Sequence, residues 1–454
     1  MNEQRGNWSY VVRVCLVATL GGLLFGYDTA VIAGAIGFLQ KKFALGPAME
    51  GWAASCALLG CVIGVTISGA FSDRFGRKRL LVLSGALFAA SAIGTALPPN
   101  LTWFVIFRTI GGIGVGAASM AAPMYIAEIA PARMRGRMVS VNQLAIVTGM
   151  LIIYFVNYFI ARGGDEAWNV EYGWRWMFAS GLFPSLVFLG LLISVPESPR
   201  WLAEHRRRGE ALGILTRVNG AAAAERELAE IEAAAAVESS TLSQFVRSGP
   251  AAVLVIGISL AILQQVTGIN VFLYYGPEIF KKLGSGTDVA LLQTLTVGAV
   301  NLVFTVIAIY TVDRWGRKPL MLLGASGMGI CLFAMGGVSY AGRTELWVLL
   351  LILGYIACFA LSIGPVTWVI LSEIFPTKIR GRALGLATFC LWTANFIVSQ
   401  TFPILNENAW LVATFRQAFP FWVYGALCVV EILFVWRMVP ETKGKSLEEI
   451  ERMW

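Results

Sequence analysis

The sequence predicts an all-α membrane protein with twelve transmembrane helices in two six-helix bundles joined by a cytoplasmic helical linker. Three observations predict it: an apolar composition, recurring stretches long enough to cross a bilayer, and polar motifs that repeat between the two halves of the chain. Soluble domains carry about 25 per cent charged residues, whereas 14 per cent of these 454 residues are charged and 57 per cent are hydrophobic. Apolar stretches able to cross about 30 Å of hydrocarbon fall near 10–39, 52–72, 80–97, 102–127, 138–160 and 174–195 in the first half. In the second half they fall near 251–280, 289–312, 319–340, 345–372, 382–404 and 416–438. The first is too long for the apolar core of a cleaved leader, and no small-residue cleavage pattern follows a short one.

Placing the amino terminus in the cytoplasm puts 26 of the 35 lysines and arginines inside and eight outside, with Arg108 within a span. That asymmetry is the positive-inside pattern, and it puts both termini in the cytoplasm. It also explains the net charge of +8 without a nucleic-acid partner. The seven cysteines are odd in number, lie inside predicted spans and have no CxxC spacing, which reads as packing and not as disulfides or a metal site. The single histidine, His205, leaves no material for His-based metal or triad chemistry.

The halves repeat. Asp73-Arg74-Phe-Gly-Arg77-Lys78 after the second stretch returns as Asp313-Arg314-Trp-Gly-Arg317-Lys318 after the eighth. Glu128 and Arg135 return as Glu373 and Arg380, and Pro196-Glu197 returns as Pro440-Glu441. All three pairs share nearly one offset, which makes the chain a duplication. Two related bundles are the plan of carriers that rock one half against the other around a central site. The divisions are 1–195 for the first bundle, 196–249 for the linker, and 250–454 for the second bundle and tail. Apolar residues of the linker recur at helical spacing beside Glu and Arg, so it reads as short amphipathic helices, with a disordered connection as the alternative.

Within the spans, Asp28 and Arg108 are opposite charges in apolar surroundings and are most simply partners. Static buried pairs stabilise weakly, so the pair points to a switch. Other features carry less. GGIGVGAAS continues a membrane stretch and does not follow a strand, so Gly112 and Gly116 read as a small-residue face for close helix approach and not as a nucleotide loop. GRKRL and GRKPL lack Walker spacing. Asn100-Leu-Thr102 fits a glycosylation sequon in an outer loop.

The two DRxGRK loops, PESPRWL, QQVTGIN, GPVTWVILSEIFP and VPETKGKSLEEIE together resemble the sugar porter family of the major facilitator superfamily, end to end. The likeness is greatest to its bacterial D-xylose:proton symporters. It implies a carrier, not an enzyme, in a bacterial inner membrane, working as a monomer by alternating access with a monosaccharide and a proton as its partners, and with no cofactor or metal. On the same resemblance Asp28 and Arg108 couple the proton, although Gly181 stands where some proton-coupled relatives carry a glutamate. The implied sugar contacts are Gln143, Gln264, Gln265, Asn270, Asn301, Trp368 and Trp392. Phe25, Tyr274, Tyr275, Phe359, Gly364 and Asn395 are second members of the site. Amides both donate to and accept from hydroxyls, and aromatic faces suit the C–H patches of a sugar. Asn270 lies six positions beyond Gln264, and unwinding around Gly268 would bring it round. Met150 and Leu391 replace glutamines of the xylose members, which leaves D-xylose, D-glucose and galactose all open.

The cytoplasmic clusters read, by the same resemblance, as a latch between the halves: Asp73, Arg77, Glu128, Arg135 and Glu197 with Asp313, Arg317, Glu373, Arg380 and Glu441. The rival readings are a passive uniporter of the same fold and a sugar sensor that does not cycle. The chain ends about a dozen residues after VPETKG, without the long signalling tail usual for a sensor.

Overall fold

The fold was examined in a computed structural model, which describes residues 7–131, 134–236, 251–282, 285–342, 346–375, 379–444 and 449–450. Among the described residues twelve helices are long and apolar enough to cross a membrane. Spans 1 to 6 are Trp8–Phe43, Pro47–Phe75, Arg77–Ala96, Leu101–Ile129, Arg137–Arg162 and Glu166–Leu192. Spans 7 to 12 are Ala252–Lys282, Thr287–Val312, Arg317–Tyr340, Trp347–Ile374, Gly381–Glu407 and Phe419–Met438. Among the described residues there is no strand.

Span 6 starts eight residues earlier than its apolar run, because polar residues there are satisfied locally. The Asp165 carboxylate caps the helix by accepting from the Trp168 amide at 2.8 Å. Buried Asn169 donates to the carbonyl of Ala161 at 2.7 Å, at the head of a π-helical turn, Asn169–Gly173. Glu166 and Glu171 pair with Lys41 and Lys42 at the outer end of span 1.

Spans 2 and 4 pack through glycine. A Cβ at Gly112 would lie 1.9 Å from the carbonyl oxygen of Ala57, one at Gly116 2.3 Å from that of Cys61, and one at Gly60 2.2 Å from that of Thr109. Backbones this close exclude any side chain, as small-xxx-small faces require. Spans 1 and 5 meet in the same way, through Gly26 against Ile146 and Gly149 against Leu23.

Two spans are broken. Span 7 divides into Ala251–Val266 and Ile269–Lys282 at Gly268, whose φ of +92° lies in the region that favours glycine. Span 10 divides at Ser362 into Leu346–Leu361 and Ile363–Ile374.

In the linker, Pro199–Glu204, Arg208–Asn219 and Ala221–Ala236 are helical and enclose a small core that includes Trp201, Leu215 and Leu228. The Trp201 indole N–H donates to the Asp73 carbonyl at 2.9 Å, and the Asn7 amide donates to the Arg217 carbonyl at 2.8 Å. This ties the linker to the first bundle. The linker's last stretch, 237–250, lies outside the described residues.

Hydrogen bonds that cross between the bundles gather toward the end away from the linker. Gln400 of span 11 accepts from Ser55 at 2.8 Å and donates to the Ala48 carbonyl at 2.9 Å, and Tyr154 of span 5 donates to the Leu273 carbonyl at 2.8 Å. Nearby, Gly37 of span 1 leaves room for the Glu278 carboxylate, and the Lys281 ammonium stands 5.4 Å from the Phe38 ring centre. The outer ends of spans 1 and 7 are therefore closed on each other.

Replacing Gly112 by Leu drives a side chain into the Ala57 carbonyl and should sharply reduce the monodisperse fraction and melting temperature of detergent-purified protein. Gly190→Ala, where an added Cβ meets nothing within 4 Å, should leave both unchanged. Equal behaviour of the two variants would refute the glycine contact.

Candidate functional site

Asp28, in the middle of span 1, and Arg108, in span 4, meet inside the first bundle. One guanidinium nitrogen, Nη1, donates to both the carboxylate and the backbone carbonyl of Asp28, each at 3.1 Å. The guanidinium carbon stands 5.3 Å from the Phe178 ring centre, a cation–π contact that helps hold a charge out of water. Arg108 is 1% exposed and its Nε has no partner. A pairing through one nitrogen falls short of the two-pronged guanidinium–carboxylate pair, so it is the weaker form of the contact.

The Asp28 side chain keeps 17% of its surface, on a cavity the size of a water molecule lined by Tyr27, Thr95, Phe178, Gly181 and Ser185. Next to it, the hydroxyls of Tyr27 and Ser180 lie 2.7 Å apart. Gly181 thus borders the carboxylate, and no side chain fills the space. Tyr27, Thr95, Ser180 and Ser185 escaped sequence reading because lone hydroxyls in spans are common; only their placement around Asp28 distinguishes them.

The amides of span 7 form a connected row across the break. Asn270 donates to Gln265 at 2.6 Å, Gln265 donates to Gln264 at 3.2 Å, and Gln264 donates to the carbonyls of Ile363 and Gly364 at 3.2 and 2.9 Å. Gln264 therefore holds the break of span 7 against the break of span 10. The φ of Gly268 brings Asn270 back to the row. Tyr274 and Asn395 are buried, and Phe25 packs on Trp392 with ring centres 5.4 Å apart. The Trp392 indole N–H is buried without a protein partner, an unmade bond that calls for an acceptor. Asn301 is buried, whereas Gln143, Trp368 and Phe359 are half-buried. Tyr275 points away from the row, donating to the Ser399 carbonyl at 2.9 Å.

The repeated charge clusters have the same geometry twice. Arg77 lies 3.0 Å from Glu128, which also accepts from the Ser198 hydroxyl. Arg317 lies 2.9 Å from Glu373, which accepts from the Thr442 hydroxyl at 2.6 Å. Glu197 accepts from the Lys78 amide at 3.0 Å, and Glu441 accepts from the Arg317 and Lys318 amides at 3.0 Å each. Each carboxylate thus caps the first turn of span 3 or span 9, just after Gly76 or Gly316 at φ +99° and +92°. At Glu441 burial pushes the carboxyl up, but donation from the Lys443, Arg317 and Lys318 amides and the Arg317 charge outweigh it, leaving it below the usual range. The pairs described here close within one half each. Asp73 is mostly exposed, 3.9 Å from Arg77, and the side chains of Arg135, Asp313 and Arg380 lie outside the described residues. Ser198 and Thr442 were not singled out from sequence; their signal is that each follows the repeated glutamate.

The family described as "Sugar (and other) transporter" matches residues 14–454. The chain belongs to that family. Within it, the chain is 49% identical to a D-xylose-proton symporter of Escherichia coli, over all of this chain and 97% of the relative. It is 41% identical to a glucose facilitated diffusion protein of Zymomonas mobilis, over 98% of this chain and 97% of the relative. A solved structure of a major facilitator superfamily proton:xylose symporter bound to 6-bromo-6-deoxy-D-glucose superposes with a TM-score of 0.84, at 48% identity over 99% of this chain and all of that one. The fold is that of the major facilitator superfamily, and the chain is a multi-pass inner-membrane protein.

Trp392→Phe keeps the ring against Phe25 and removes an N–H that no protein acceptor uses. Sugar affinity should fall about fivefold to tenfold, the worth of one hydrogen bond, with the folded fraction unchanged, as read by isothermal titration with D-xylose and D-glucose. Unaltered affinity for both sugars takes Trp392 out of the site.

Proposed function

We propose that this protein is a proton-coupled carrier of a monosaccharide, D-xylose or D-glucose, that works by alternating access, with residues 1–195 and 250–454 moving against each other. The observation that carries the coupling is the Asp28–Arg108 contact: a buried pair joined through one nitrogen, with the carboxylate opening on a water-sized cavity. While ionised, Asp28 is held by Arg108; once protonated, it no longer needs the guanidinium and can cross the cycle as a neutral group. The amide row and the Trp392 N–H offer donors and acceptors to a neutral, hydroxyl-rich solute, and its binding at the breaks of spans 7 and 10 is transmitted by Gln264. The Arg77–Glu128 and Arg317–Glu373 pairs re-form across the halves when the inner side closes, which gives the latch its role. No bond of the sugar is made or broken, and no cofactor or metal enters. Both termini face the cytoplasm, and the monomer suffices. Full-length likeness to a D-xylose-proton symporter supports this reading.

A passive uniporter is the second reading. It is favoured by the likeness to a facilitated diffusion protein and by the glycine at position 181.

The test is uptake of radiolabelled D-xylose and D-glucose into proteoliposomes, with and without an imposed inward proton gradient. Accumulation above equilibrium under the gradient is expected, and the sugar accumulated names the substrate. Asn mimics protonated Asp28, so Asp28→Asn should abolish accumulation and retain exchange. Equilibration alone in the wild type would select the uniporter.

A further inference from the structure

Glu431 lies in the interior of span 12 and is 0% exposed, and neither carboxyl oxygen has a hydrogen-bond partner. Among the described residues no basic side chain donates to it. This differs from Asp28, which has Arg108. An ionised carboxylate in such a place costs far more than a protonated one, because it is buried and no described protein group hydrogen-bonds it.

Its surroundings are not featureless. Cys428 and Tyr424 lie three and seven residues earlier, on the same face of the helix, and both are buried. The Tyr424 hydroxyl also has no partner. Its ring covers Gly268, where an added Cβ would come within 2.7 Å of Cδ2, so this face begins at the break of span 7 beside the amide row. From span 10, the buried Tyr355 hydroxyl donates to the Thr267 carbonyl at 3.0 Å, next to Gly268 at the same break. Span 9 presents apolar side chains such as Met321, Ala325 and Met328 in its buried face. The titratable groups facing Glu431 are thus Cys428 and Tyr355, with Tyr424 beyond them, and none supplies a positive charge. Glu431 precedes the cytoplasmic end of span 12, Met438, by seven residues, or about 10 Å of helix.

We propose that Glu431 is a second proton-binding carboxyl of this carrier, loaded when the outer side is closed and exchanging its proton with the cytoplasmic side as spans 7, 10 and 12 move. The step is an ionisation: the carboxyl O–H bond breaks, the electron pair stays on oxygen, and the proton passes to cytoplasmic water. Re-burial then requires the proton back. The inference rests on the carrier reading but not on coupling at Asp28.

The experiment uses the full chain in two measurements. In lipid nanodiscs, infrared spectroscopy should show a protonated-carboxyl stretch in the wild type and in Asp28→Asn that is missing in Glu431→Gln and Glu431→Met. In proteoliposomes, D-xylose exchange by Asp28→Asn should slow as internal pH rises, by up to about tenfold per pH unit above the midpoint of the group. Adding Glu431→Gln, or Glu431→Met where Gln does not fold, should flatten that profile. An infrared spectrum unaffected by loss of the carboxyl, or a pH profile that is the same with and without it, would overturn the proposal. Failure of wild-type accumulation under a proton gradient would leave both readouts intact and would count against the symport reading alone.

Discussion

A charge inside hydrocarbon must be paired, protonated or bathed in water, and the Asp28–Arg108 contact is where this constraint governs the first bundle. Arg108 reaches Asp28 because span 4 is stripped of side chains around it. At Gly111 a Cβ would come within 2.4 Å of the Ser91 hydroxyl and 3.4 Å of the Asp28 carboxylate. Gly112 and Gly116 let the same helix lie against span 2. Glycine here determines how near two backbones come, and through that whether a buried guanidinium has a partner. Loss of one member of such a pair typically costs 3–5 kcal/mol, so a cycle that separates them needs a proton on the carboxylate at that moment.

The second half solves the same problem differently. Its polar groups are mostly amides, and they satisfy one another in a row that runs over the break of span 7 to the break of span 10. At the break of span 10, Gln264 donates across from span 7 to the Ile363 and Gly364 carbonyls in the first turn of the segment that follows. The position where sugar contacts are inferred is also where spans 7 and 10 are broken. The duplicated motifs cap helices: Glu197 and Glu441 receive backbone amides at the start of spans 3 and 9, while Glu128 and Glu373 hold Arg77 and Arg317, the first residues of those spans. In this structure these contacts join helices within each half.

Much of the fold was legible because the bilayer imposes a length and a composition on each span, and duplication supplies internal checks on register. All twelve spans were placed, and the polar start of span 6 was missed because Glu166 and Glu171 look wrong for a membrane helix until Lys41 and Lys42 are beside them. The Asp28–Arg108 pairing was legible from scarcity, since two buried opposite charges have few alternatives. The return of Asn270 to Gln265 was legible from the glycine between them. The hydroxyls around Asp28 were not, nor were Ser198 and Thr442, because small polar residues carry no signal until the helices that bring them together are in place. Glu431 was passed over for a related reason: with no opposite charge to suggest a partner, its isolation shows only in three dimensions.

The most direct measurement of the central claim is proton movement driven by sugar. Proteoliposomes at matched pH, given an inward gradient of D-xylose or D-glucose and no imposed proton gradient, should alkalinise the outer medium as sugar enters. Asp28→Asn should exchange sugar without moving protons. If sugar enters the wild type and the external pH does not change, the carboxylate at position 28 carries no proton and the pair with Arg108 is structural.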